Sequence, residues 1–178
     1  MIQEGGETLS KGKSVIDRAG GKLNIDDETI EKTKEVYTQA VAEDDCAFTG
    51  RSIETVAGTC LLIASRKTGD IRTANEIAET VDGTGKTTPR NIHQTHKYIC
   101  ESLNLGFVLA DPTDFLDRIC NKLPASKADA ERARNILNQV KDHESQVNTS
   151  ARTMAAAAAY LAGTTEDRHG DYTQEEIG

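Results

Sequence analysis

The chain has 178 residues, of which 37% are hydrophobic and only 4% aromatic, with no Trp. A core made from it must rely on Ala, Ile, Leu and Val, which suits packed helices and disfavours a β-sandwich, whose faces want β-branched and aromatic residues. The formal net charge of -8 excludes DNA binding by bulk charge alone, because phosphate contact rewards Lys and Arg. The same acidity suits a salt-loving host, where surface carboxylates keep a protein hydrated. No stretch nears the ~18 apolar residues of a membrane span, and no secretory leader opens the chain. An intracellular, cytoplasmic protein without membrane contact is expected. Cys46, Cys60, Cys100 and Cys120 form no Cys-x-x-Cys pair and read as reduced, buried thiols. No metal or cofactor is expected.

Residues 1–24 are rich in Gly, Lys, Ser and Glu, and Gly5-Gly6, Gly12 and Gly20-Gly21 interrupt any long helix. They read as a flexible leader with at most a short helix around Ser14 to Arg18. A first helix opens at Asp26-Asp27-Glu28 and buries Ile30, Tyr37, Ala40 and Val41; Phe48-Thr49-Gly50 breaks it. A second starts near Ser52. Its Ile53, Val56, Ala57, Cys60, Leu61 and Ala64 follow a helical period, and Leu62 and Ile63 add apolar bulk on the other side. A helix apolar nearly all round is a central helix. Arg66 and Lys67 suit its C-terminal end, and Gly69 stops it.

Thr73-Ala-Asn-Glu76 predicts a capping box for a short third helix carrying Ala74, Ile77, Ala78 and Val81. Gly83 and Gly85 end it. Thr88-Pro89 reads as N-cap and first-turn proline of a fourth helix with Ile92, His96, Ile99 and Leu103 inward. A fifth opens at Asp111-Pro112, buries Phe115, Leu116, Ile119, Cys120 and Leu123, and is closed by Pro124. The next spans about 127–142 with Ala130, Ala133, Leu137 and Val140 inward, followed by an Ala-rich run from Met154 to Ala162.

The chain repeats itself. A shift of 98 residues lays Ser52-Ile-Glu-Thr55-Val56-Ala57 over Ser150-Ala-Arg-Thr153-Met154-Ala155, and Leu62-Ile63-Ala64 over Tyr160-Leu161-Ala162. With two more loop residues, Thr73-Ala-Asn-Glu76-Ile77 lies over Thr173-Gln-Glu-Glu176-Ile177. The expected organisation is a leader at 1–24, a complete five-helix repeat at 25–124, and an incomplete second repeat at 125–178.

An all-α, twice-repeated five-helix unit around a central helix resembles the cyclin fold. The motifs resemble a narrower family. Gly50-Arg51-Ser52-Ile53-Glu54 and Arg72-Thr73-Ala-Asn-Glu76-Ile77-Ala78 are similar to segments of transcription factor IIB and archaeal transcription factor B. So are Phe115 to Leu123, Ala155 to Tyr160, and Thr173 to Gly178. The resemblance covers about 23–178. It implies a core without catalysis that binds the TATA-binding protein on promoter DNA and supports assembly of the preinitiation complex. RNA polymerase would be a further partner. These 178 residues hold no counterpart of the zinc ribbon that meets polymerase in that family and stop before the second repeat's recognition helix, so they read either as a fragment of a longer chain or as a reduced, divergent relative. Gln94 stands where the family usually has Arg, and His96 where it has an aromatic.

The expected nucleic-acid and partner surface consists of Arg51, Arg66, Lys67, Arg72, Lys86, Arg90 and Lys97, with Gln94. Thr87 and Thr88 add the open N-terminus of the fourth helix, which could take a phosphate. The bland alternative is that these cations complement helix dipoles and keep the chain soluble. Near molar salt the Debye length is only about 3 Å and counterion release contributes little, so binding would depend on a DNA-bound protein partner. A cyclin-fold adaptor that never touches DNA is the alternative function. Gly83-Thr84-Gly85-Lys86-Thr87 hints at a phosphate loop but lacks the preceding strand and the first Gly. His93, His143 and His169 are scattered, and His96 reads as a core histidine.

Overall fold

A computed structural model describes residues 2–43, 50–106, 110–123, 125–142 and 150–164. Among these the chain forms helices only, namely α1 (Ile2–Leu23), α2 (Asp27–Glu43), α3 (Ile53–Thr68), α4 (Ala74–Val81), α5 (Pro89–Ser102), α6 (Pro112–Cys120), α7 (Lys127–Asp142) and α8 (Ala151–Gly163). The all-α expectation holds. Two compact units divide between Leu109 and Ala110.

In the first unit α3 packs against α1, α2, α4 and α5. Every residue from Thr55 to Ser65 is buried, which a helix of 3.6 residues per turn allows only when neighbours stand on all sides. Two of its buried hydroxyls bond within the helix. The Thr59 hydroxyl donates to the Thr55 carbonyl at 2.7 Å and the Ser65 hydroxyl to the Leu62 carbonyl at 3.1 Å. Ser52 caps its start and Gly69, with φ of 85°, ends it. Gly58 lets α4 close in, since a Cβ there would lie 3.1 Å from Ile77 Cγ2. The capping box at Thr73 and Glu76 and the Thr88-Pro89 opening of α5 form as expected.

The leader reading is corrected. Residues 2–23 form one helix, and its Val15, Ile16 and Ala19 belong to the first unit's core. The glycines that suggested a broken chain serve close approach instead. At Gly12 a Cβ would overlap the Tyr37 ring, and at Gly20 it would lie 2.7 Å from Ile30 Cδ1. Tyr37 is fully buried and donates its hydroxyl to the Thr8 carbonyl at 3.0 Å. Packing of α2 on α1 thus offsets the ~1 kcal/mol that each Gly costs a helix relative to Ala.

This also corrects the repeat boundaries. The first five-helix unit is α1–α5, its central helix is the third, and α6 opens the second unit. In that unit α8 packs against α6 and α7, just as α3 packs against α1 and α2. Its core joins Leu116, Leu123, Ala133, Leu137, Ala158, Ala159 and Ala162. Asp117 accepts from Arg134 at 2.7 Å, linking α6 to α7. Ala130 and Val140 are only half-buried. The Thr173–Glu176 capping box, Cys46, Phe48, Pro124, His143 and His169 lie outside the described residues.

Candidate nucleic-acid and partner interface

The expected cations separate along α3. A helix of 16 residues is roughly 24 Å long at 1.5 Å per residue, so Arg51 and the Arg66–Lys67 pair stand at opposite ends. At the start of α3, Arg51 and Lys86 converge with Gln94 on a cleft of about 370 Å³. Gly50, Ser52, Thr55, Asn91 and Thr95 complete its lining. Among the described residues no carboxylate lines it, and its polar groups are hydroxyls, side-chain amides and two cations. The Arg51 guanidinium carbon lies 4.5 Å from the centroid of the Tyr98 ring.

The loop from Asp82 to Thr88 connects α4 to α5 and forms one wall of the cleft through Lys86. Three of its donors are engaged by Asp82. The Asp82 carboxylate accepts from the Thr84 N–H at 2.9 Å, the Thr84 hydroxyl at 2.6 Å and the Thr87 N–H at 2.7 Å. These bonds hold the Asp82 carboxyl down at about 2. Thr87 is buried, its hydroxyl 3.2 Å from that of Thr55. Thr88 accepts the Asn91 N–H at 3.2 Å as the N-cap of α5. Thr87 is buried, and Thr88 is half-buried with its hydroxyl oxygen serving as the cap acceptor. At the helix N-terminus expected as a phosphate site, the Asn91 N–H is taken by the Thr88 side chain. A helix, not a strand, precedes Gly83, which removes the structural context a phosphate loop needs.

Arg90 and Lys97 are exposed on α5, and Lys97 reaches Glu101 at 3.9 Å. At the far end of α3, Lys67 is exposed, whereas Arg66 is half-buried and donates to His96 Nε2 at 3.4 Å. Arg carries donors only, so Nε2 of this buried core histidine is the accepting nitrogen. Burial holds the Arg66 guanidinium below its usual range, and burial together with Arg66 lowers His93. Arg72 leaves the expected patch. It pairs with Asp70 and donates to the carbonyls of Leu23 at 3.2 Å and Asn24 at 3.1 Å. It ties the turn after α1 to the loop before α4.

Sequence reasoning missed Asp82 and Tyr98. The Asp82-Gly83-Thr84 run was a usable signal, because Asp before Gly favours a turn in which the side chain binds the backbone two residues on. Tyr98 follows Gln94 by one helical turn, a spacing that places both on one face of α5. Burial pushes the Cys60 thiol well above its usual range, which suits a core thiol and not a nucleophile. Among the described residues no cluster of His, Cys, Asp or Glu could hold a metal ion, and no helix is long and apolar enough to cross a membrane.

Comparison with known proteins points one way. A family model described as the transcription factor TFIIB repeat matches residues 6–104, which are α1 through α5. The chain is 32% identical over 154 residues to transcription initiation factor IIB 6 of Halobacterium salinarum, covering 86% of this chain and 46% of that protein. It is also 32% identical over 154 residues to transcription initiation factor IIB of Methanosphaerula palustris, covering 86% and 44%. Identity is 27% over 169 residues to transcription initiation factor IIB of Saccharolobus shibatae, covering 95% and 53%. The chain spans about half the length of the curated relatives it matches.

Proposed function

We infer the function from one premise: the chain belongs to the transcription factor TFIIB repeat family. It acts as a general transcription initiation factor core that binds the TATA-binding protein on promoter DNA and supports assembly of the preinitiation complex. RNA polymerase is the further partner this reading carries, and the role is binding without catalysis. The observation behind it is the family match across all five helices of the first unit. The cleft supports it chemically. Arg51, Lys86 and Gln94 line a concavity with no carboxylate among its described lining residues, on a chain whose net charge is -8. That contrast suits a local phosphate contact made once a protein partner has placed the DNA, and opposes DNA binding by charge alone.

A gel shift in roughly 1 M salt, where the Debye length is about 3 Å, tests this. The expected result is a supershift of TATA-element DNA only when the TATA-binding protein is present. Strong shifting of bare DNA by the chain alone, or none with the partner present, contradicts it. A second reading, a cyclin-fold adaptor that holds a protein and never touches DNA, draws on the internal engagement of Arg72, Thr87 and the Asp82 loop. Binding to the TATA-binding protein with equal affinity with and without DNA would favour the adaptor.

A further inference from the structure

Tyr98 is not among the residues lining the cleft, yet its ring lies against one of the cleft's two cations. It is half-buried on α5, and the Arg51 guanidinium carbon stands 4.5 Å from the ring centroid. Arg51 follows Gly50, whose φ of 71° gives the backbone a left-handed turn just before α3. An Arg side chain there has several freely rotating bonds, and order in it must come from what it touches. The face of an aromatic ring carries the negative part of its quadrupole and attracts a guanidinium laid upon it. Stacking uses the face of the guanidinium, whereas hydrogen bonds to an anion use its edge, so one group can do both. Among the described residues, Arg51 and Lys86 are the full charges lining the cleft, and Ser52, Thr55, Asn91, Gln94 and Thr95 supply neutral polar groups. The nearby Asp82 carboxylate is held by Thr84 and Thr87.

We propose that Tyr98 is a positioning residue for Arg51, its ring holding the guanidinium at the cleft so that its edge meets one backbone phosphate of promoter DNA. The ligand in this statement rests on the DNA-binding reading above; the positioning does not. Because Gln94 contributes no charge, the cleft depends on the placement of Arg51 more than a doubly cationic helix face would. Lys cannot replace Arg here, since an ammonium has no plane to stack and no fork to present.

The test uses the full chain and two readouts. The first is the Arg51 side-chain Nε–Hε resonance in the free protein. It is expected to be ordered in wild type and in Tyr98→Phe, and measurably less ordered in Tyr98→Leu. An Arg51 signal that is the same in Tyr98→Leu as in wild type overturns the positioning claim. The second is affinity for TATA-element DNA bound to the TATA-binding protein, measured over a salt series. A cation–π contact at a half-exposed site predicts a loss of about two- to five-fold for Tyr98→Leu. Tyr98→Phe should match wild type. Tyr98→Leu should cost nothing further in an Arg51→Ala background, where the salt slope falls by about 0.9. Equal losses in the two backgrounds, or Tyr98→Phe as weak as Tyr98→Leu, overturns the proposal. Should Tyr98→Leu unfold, Arg51→Lys tests the same contact from the cation's side: weakening of similar size is expected, and binding as tight as wild type contradicts the proposal. Absence of any complex, with the Arg51 signal still dependent on the ring, overturns the DNA-binding reading and the phosphate ligand while leaving the positioning supported.

Discussion

Helices α3 and α8 begin alike and end in different surroundings. Ser52 accepts the Thr55 N–H at 3.1 Å, and Ser150 accepts the Thr153 N–H at 3.1 Å. In each case the serine and threonine hydroxyls also meet, at 3.0 Å in α3 and 2.7 Å in α8. Beyond the first turn they diverge. In α3 burial is continuous from Thr55 to Ser65. In α8 burial is confined to Ala155, Ala158, Ala159, Ala162 and Gly163, and Leu161 is 56% exposed. Leu161 lies 98 residues after Ile63, which is fully buried. Helices α1, α2, α4 and α5 cover α3, while among the described residues α8 has α6 and α7. A cap is written in three or four residues and recurs intact; the surroundings of a helix depend on segments far along the chain.

The largest expected effect exploits this pair. Ile63→Ala removes a fully buried side chain and is expected to cost the first unit about 2–5 kcal/mol. Leu161→Ala, at 56% exposure, should change stability by no more than ~0.5 kcal/mol. Urea unfolding of the two variants measures both, and equal losses would break the contrast. Next in size are the glycines of α1. Gly12→Ala forces a Cβ into the Tyr37 ring, so a loss of about 1–3 kcal/mol is expected despite better helix propensity. Gly21→Ala meets open space and should stabilise by up to ~1 kcal/mol. Thermal melts of the two decide whether α1 is a covering helix of α3, and a stabilising Gly12→Ala would return it to the status of a leader.

Smaller still are the caps. Ser52→Ala and Ser150→Ala should each cost about 1 kcal/mol, because their geometry is the same. A cost at one alone would show that the two starts differ in the folded protein. The last is a pH effect confined to the first unit. Hydrogen bonds from Thr84 and Thr87 depress the folded-state pKa of Asp82 to about 2 from an ordinary 3.8. A depressed carboxylate stabilises the fold above its unfolded value, and that contribution disappears as pH falls from about 4 to about 2. Acid unfolding followed through this window should be shallower in Asp82→Asn than in wild type.

How much of this is legible in the sequence follows from the same physics. Capping boxes, N-caps, the αL glycine at 69 and the apolar period of α3 are local, and the residues at Thr73, Thr88, Gly69 and Ser52 declare them without help from the rest of the chain. The 98-residue offset is also legible, because it compares the chain with itself. The boundaries are not. Gly12 and Gly20 look like breakers until Tyr37 and Ile30 are seen to fill the space over them, and without α1 the count of five helices slides forward by one. Among the site residues, Arg51 and Lys86, from loop positions, come together with Gln94 from within α5. Arg72 and Thr87 fall outside that group because their partners, Leu23, Asn24 and Thr55, are distant in sequence.

Hydrogen exchange on the assembled complex probes the cleft as a DNA-facing surface without altering the chain. The protein would be compared alone and with the TATA-binding protein on TATA-element DNA, segment by segment. Slower exchange in the first unit around residues 50–55 and 86–98, beyond what the partner protein gives without DNA, is the expected result. Unchanged exchange there, with any protection falling elsewhere, would contradict it.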